Sequence, residues 1–170
     1  MRNKKPSIRW LFNILNGMPL WAFCFLICRL LPLFYLGCSD NNLSNLDVTN
    51  KTELQYLYCS NNNLSSLDVS NNTKLLYLDC DGNNLSSLDV SNNTHLLSLD
   101  CSDNNLSNLD LNNNTELSIL RCSENNIKIL DVRNTSIKVH RSRQNIDFVC
   151  DDTVEIIDNG ITVYDTTETD

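Results

Sequence analysis

The sequence predicts a β-rich solenoid: a stack of about five to six coils with parallel strands and little helix outside an apolar N-terminal segment. Three observations carry this expectation. Cys38, Cys59, Cys80, Cys101 and Cys122 lie 21 residues apart, and Leu36, Leu57, Leu78, Leu99 and Leu120 keep the same step. Around each cysteine, apolar and polar positions alternate with period two, the pattern of a half-buried strand. Asn41, Asn62, Asn83, Asn104 and Asn125 recur where the chain must turn out of that strand. One such coil cannot bury its apolar face alone, so coils must stack on a shared interior.

Residues 1–32 form a basic and apolar N-terminal segment that resembles a signal or anchor. It holds Arg2, Lys4, Lys5, Arg9 and Arg29 and no acid, whereas residues 33–170 carry a net −13. From Met18 to Leu36 the only charge is Arg29. A helix needs about 20 apolar residues to span a bilayer, and basic residues ahead of an apolar run fit an exported or inward-facing start. Against a simple span, Arg29 near its middle costs roughly 2.5–3.5 kcal/mol, and Leu33 and Leu36 already keep the repeat phase. Cleavage, membrane attachment through residues 10–36 and a cap on the solenoid therefore stay open. Leu36-Gly37-Cys38 is a weak lipoprotein-like site, but the repeat itself demands Cys38.

Residues 33–136 are the repeats. The unit reads L-x-x-L-x-C-x-x-N-x-L-x-x-L-D-V-x-x-N-T-x. The asparagine amide at the turn can satisfy backbone groups of its own and the next coil, where an unpaired buried group costs ~1–3 kcal/mol. The second half echoes the first, as in Leu64, Leu67 and Val69 against Leu54, Leu57 and Cys59. Its Ser, Asn, Asp and β-branched Val disfavour a helix, so both sides of each coil are expected to step at strand spacing. Five in-phase copies over about 60% of the chain resemble the leucine-rich repeat family. The short, cysteine-bearing unit is similar to repeats of secreted proteins from Bacteroidetes-type bacteria.

After Val132 the phase breaks. Ile137, Val139 and Ile146 fit a degenerate last coil or cap over 137–150, which also holds the basic cluster Lys138, His140, Arg141 and Arg143. Residues 146–152 resemble the closing segment that follows such repeats in secreted proteins. Residues 151–170 are expected to be an acidic tail with one strand at 161–164.

The five cysteines of the column are expected as buried thiols, because parallel side chains aimed into a core meet disulfide geometry poorly and free cysteine packs as a small hydrophobe. No paired-cysteine spacing points to a metal. Asp47, Asp68, Asp89, Asp110 and Asp131 face outward. Local bonds to nearby Ser and backbone NH groups in the turn are the first expectation; mutual repulsion that raises some pKa values or recruits cations, or binding of a partner, is the alternative.

Binding is expected on the outward strand positions. These vary from coil to coil while the core columns do not, so the fold does not dictate them. Tyr56, Tyr58 and Tyr77 form an aromatic cluster with Asp79 and Asp100 beside it and Arg121 in the same row; tyrosine suits binding surfaces because it is rigid and amphipathic. No catalytic residue is assigned. His95 and His140 are the only histidines, and no nucleophile–base order or phosphate loop appears. No cofactor is expected, and the net charge of −8 argues against nucleic acid. The sequence thus predicts a monomeric, non-enzymatic binding module for protein or glycan, exported or at the cell surface. The alternatives are a structural spacer without its own ligand, or a cytosolic interaction scaffold whose apolar head is a cap.

Overall fold

Where Leu alternates with polar residues, the chain extends. The strands are β1 (Tyr35–Gly37), β2 (Tyr56–Tyr58), β3 (Tyr77–Asp79), β4 (Ser98–Asp100), β5 (Ile119–Arg121), β6 (Ile129–Asp131), β7 (Phe148–Val149) and β8 (Glu155–Ile157). This computed structural model describes residues 33–137, 148–151 and 153–158. The signal, anchor or cap expected of residues 1–32, the basic cluster at 138–143 and the strand expected at 161–164 lie outside them. Residues 33–36 are described, and Leu36 enters β1 as its one buried residue.

Six strands make one parallel sheet in the order β1-β2-β3-β4-β5-β7. The first five pair in register at the repeat step: Leu36 with Leu57, Leu57 with Leu78, Leu78 with Leu99, Leu99 with Leu120. One middle coil shows the interior: Leu75, Leu78, Cys80, Leu85 and Val90 are buried to within 2% and Leu88 to 7%. Each such leucine contributes about 1.5–3 kcal/mol by leaving water, and identical columns above and below complete its packing. No α-helix occurs among the described residues.

The turn out of each strand is closed by an asparagine. Asn83 Nδ2 donates to the carbonyls of Cys80 (3.1 Å) and Asp81 (3.2 Å) in its own coil and of Cys59 (3.1 Å) in the coil before. Its Oδ1 accepts from Leu64 N at 3.0 Å. Asn62, Asn104 and Asn125 repeat this set. One residue earlier stands a column in the left-handed region: Asp40, Asn61, Gly82, Asp103 and Glu124, with φ between 47° and 61°. Asn, Asp and Gly tolerate this backbone best. At Gly82 a Cβ would come within 2.5 Å of Asn61 Oδ1, so glycine also admits the neighbouring amide.

A second asparagine column closes the other turn, a role the repeat unit displays but sequence reasoning did not assign. Asn72 Nδ2 reaches back to the carbonyls of Val48 (2.9 Å) and Lys51 (2.7 Å). Asn93 and Asn114 bond their predecessors in the same way. Their Oδ1 atoms are buried without a hydrogen-bond partner.

The far side of the coils departs from expectation. There Asn84 N donates to Leu64 O while Leu64 N is taken by the Asn83 side chain, so an amide stands where a strand ladder would form. Among the described residues only β6 and β8 pair on that side. The end of the stack also differs. Strand β7 pairs with β5 at a step of 28, Leu120 with Phe148 and Arg121 with Val149, which sets Cys150 beside Cys122 as a sixth rung. Strand β8 lies inside the segment expected as an acidic tail. Asp151 closes the last turn: its carboxylate accepts from Glu124 N (2.9 Å) and Asn125 N (3.4 Å). In earlier coils the equivalent NH groups donate to carbonyls of the next coil.

All five column cysteines are buried thiols, and Cys150 is a half-buried thiol. Burial pushes four of the thiols up, Cys122 to about 12 and Cys59, Cys80 and Cys101 well above the usual range. Since the thiolate is the reactive form, a thiol reagent is expected to modify Cys150 in the native protein and the five column cysteines only on unfolding, as read by mass spectrometry of labelled peptides. Asn83→Ala leaves Leu64 N without its acceptor and removes one of two donors from the carbonyls of Cys59, Cys80 and Asp81; a loss of about 1–3 kcal/mol is expected in urea titrations, with the strand face unchanged.

Candidate binding surface

Alternation decides what the sheet displays. Leu57 points in, so Tyr56 and Tyr58 point out, and the register carries this from coil to coil. One outward row is Tyr35, Tyr56, Tyr77, Ser98 and Ile119; the next is Gly37, Tyr58, Asp79, Asp100 and Arg121.

The predicted tyrosines come together. Tyr56 and Tyr77 stack with centroids 5.1 Å apart and planes within 10°. Tyr58 is joined to them through Tyr35, which lies 5.4 Å from Tyr58 and 6.4 Å from Tyr56. Tyr35 was not among the predicted site residues, although the period places it in the row. It is 53% exposed, the outermost ring of the group. Such pairs contribute about 0.5–1.5 kcal/mol each beyond area.

The predicted acids adjoin the stack. Asp79 Oδ1 accepts from Asp81 N (3.3 Å), and Asp100 Oδ1 from Ser102 N (3.2 Å). Arg121 Nη1 stands 3.8 Å from Asp100 Oδ2, so all six predicted residues share one face. Asp81, in a third outward row, joins them and was also missed. Burial pushes the carboxyls of Asp79 and Asp81 above the usual range, and the neighbouring Asp100 adds to the rise. Burial likewise raises the Tyr58 phenol, with smaller contributions from Tyr35 and Asp79.

The aspartate column does not behave as a row of repelling charges. Asp47, Asp68, Asp89, Asp110 and Asp131 each accept the NH two residues on, at 2.9–3.1 Å. Hydrogen bonds from Thr49, Ser70 and Ser91 lower Asp47, Asp68 and Asp89. The Arg133 side chain holds Asp131 at about 2. These carboxylates lock turns through the local bonds expected of them, and at Asp68 repulsion from Asp47 and Asp89 is the smaller effect. His95 faces Glu116 at 3.2 Å in a turn row whose other pair is Lys74 and Glu53 at 2.6 Å. Among the described residues no group of three His, Cys, Asp or Glu side chains could hold a metal ion.

No family model and no curated protein matches the chain. Solved structures do. The functional domain of InlJ from Listeria monocytogenes, which includes a cysteine ladder, is 37% identical with a TM-score of 0.51, over 73% of this chain and 30% of that one. A leucine-rich repeat protein of Leptospira interrogans is 25% identical with a TM-score of 0.57, over 61% of this chain and 29% of that one. The chain thus spans under a third of either structure.

The two kinds of carboxylate predict opposite responses to pH. Asp79 is raised in the folded state, so its ionised form opposes folding; Asp79→Asn is expected to raise the melting temperature at pH 7, with the gain shrinking as the pH falls through its folded pKa. Asp131 is lowered, so Asp131→Asn is expected to lower the melting temperature at pH 7, with the difference closing between about 4, the unfolded value, and about 2.

Proposed function

The chain is a leucine-rich repeat protein, and from that premise we propose that it is a non-enzymatic binding module, exported or surface-attached, that recognises protein or glycan through its strand face. The observation that carries the reading is a contrast within one chain. The inward columns hardly vary from coil to coil: Leu, Cys, Leu with Ile127 in the fifth coil, Leu, and Val or Leu. The outward rows run Tyr, Tyr, Tyr, Ser, Ile and Gly, Tyr, Asp, Asp, Arg. Folding needs the first and is indifferent to the second, and the variable residues gather into one aromatic and acidic cluster. Tyrosine and arginine are favoured at the centres of recognition surfaces. Two solved leucine-rich repeat structures of similar build support an interaction role in general. Export rests on the basic start and the apolar run to Leu36.

The test is capture by the immobilised full-length chain. Tyr56→Ala combined with Tyr77→Ala is expected to abolish retention of a partner that the parent holds, while the chain still unfolds cooperatively, its unfolding free energy falling by about 1–3 kcal/mol for the two lost ring pairs in addition to the lost area. A partner held equally by parent and variant would move the site elsewhere. Cell fractionation with mass spectrometry of the N-terminus tests the surface location; a full-length chain found only in the cytosol rejects it.

A further inference from the structure

The tyrosine stack ends abruptly. Tyr56 lies between Tyr35 on one side and Tyr77 on the other, so both its faces point at rings. In the same row the residue in register after Tyr77 is Ser98, too short to cover the next ring face. A notch is left with the far face of Tyr77 as one wall and Ser98 as floor. Beside it, in the adjoining row, stand Asp79 and Asp100, themselves in register. Asp79 is half-buried, its carboxylate held by Asp81 N. The chain already brings one cation to this edge, Arg121 against Asp100 at 3.8 Å, so with Asp79 and Asp81 beside it the edge sets three carboxylates against one guanidinium.

From this juxtaposition, and resting on the strand-face reading above, we infer that the partner is a polypeptide that presents a basic side chain, its guanidinium or ammonium seated in the Ser98 notch against Tyr77 and between Asp79 and Asp100. The negative face of an aromatic ring and a carboxylate attract the same group, a cation. Arginine fits best, because its planar head stacks on a ring while its edge donates to carboxylates. A pyranose fits less well. Sugar rings need an open row of aromatic faces, and here the tyrosines cover one another.

The experiment is isothermal titration of the full chain with three probes: a capped Arg-Gly-Arg-Gly-Arg-Gly peptide, its glutamate counterpart, and cellohexaose. The arginine peptide is expected to bind and the other two not. Ser98→Tyr prolongs the stack and fills the notch without changing net charge; it is expected to weaken the arginine peptide at least about tenfold. Asp79→Asn keeps the shape and is expected to weaken it about three- to tenfold. No binding of the arginine peptide, or equal binding by parent and Ser98→Tyr, overturns the inference, the latter because net charge alone would then be responsible. Binding of cellohexaose that Ser98→Tyr abolishes overturns it in favour of a glycan. Should Ser98→Tyr melt early, the Asp79→Asn result decides. A captured partner lost with the Tyr56 and Tyr77 double variant but indifferent to Ser98→Tyr and Asp79→Asn would leave the strand-face reading standing and sink this one alone.

Discussion

The whole stack depends on how a buried turn satisfies its backbone. A coil that reverses direction inside a packed interior leaves carbonyls with no water to bond them; those of Cys38, Cys59, Cys80 and Cys101 are met by asparagine amides. The amides of Asn62, Asn83, Asn104 and Asn125 supply the missing donors, and each also accepts the NH that begins the second half of the previous coil. One side chain thus fixes the turn and the contact between coils. The leucines and thiols need this closure: without it the strands would have no reason to return to the same register every 21 residues. It also explains why the column tolerates no other residue across five coils, since only a carboxamide donates and accepts in that geometry.

A closed interior frees the outside. Because packing and backbone bonding are complete within the inward columns, the outward strand positions can change from coil to coil at little cost in stability. The protein uses that freedom unevenly. The early coils carry rings, the middle coils carboxylates and the fifth an arginine. The gradient of chemistry along one flat register is what makes the face a candidate for recognition, and it places the aromatic and charged ends next to each other at Tyr77 and Asp79.

Strand positions, the inward and outward rows, the buried thiols and the clustering of Tyr56, Tyr58, Tyr77, Asp79, Asp100 and Arg121 were legible in the sequence, because each follows from a period of two inside a period of 21. Features that depend on one particular backbone conformation were not. The left-handed column is occupied by Asp, Asn, Gly, Asp and Glu, a mixture with no single preference to read. The far side looked like a second strand because Leu64, Leu67 and Val69 copy the first half, yet an asparagine amide took the NH that a ladder would need. The aspartate column and its local bonding were both legible, because a polar residue stands two positions after each Asp and its NH is within reach of the carboxylate. Past Val132 the step lengthens to 28, and periodicity no longer locates the sixth strand.

The carboxylate of Asp151 has an evolutionary corollary. It stands in for the carbonyls that a following coil would offer to Glu124 N and Asn125 N, so together with β7 and β8 it completes the bonding of the last coil without a further repeat. Every internal unit meets only its two neighbours, through the same set of atoms. Tandem duplication or loss of a unit by unequal recombination would therefore yield another well-formed array, lengthening or shortening the displayed face by one row while leaving the terminator untouched.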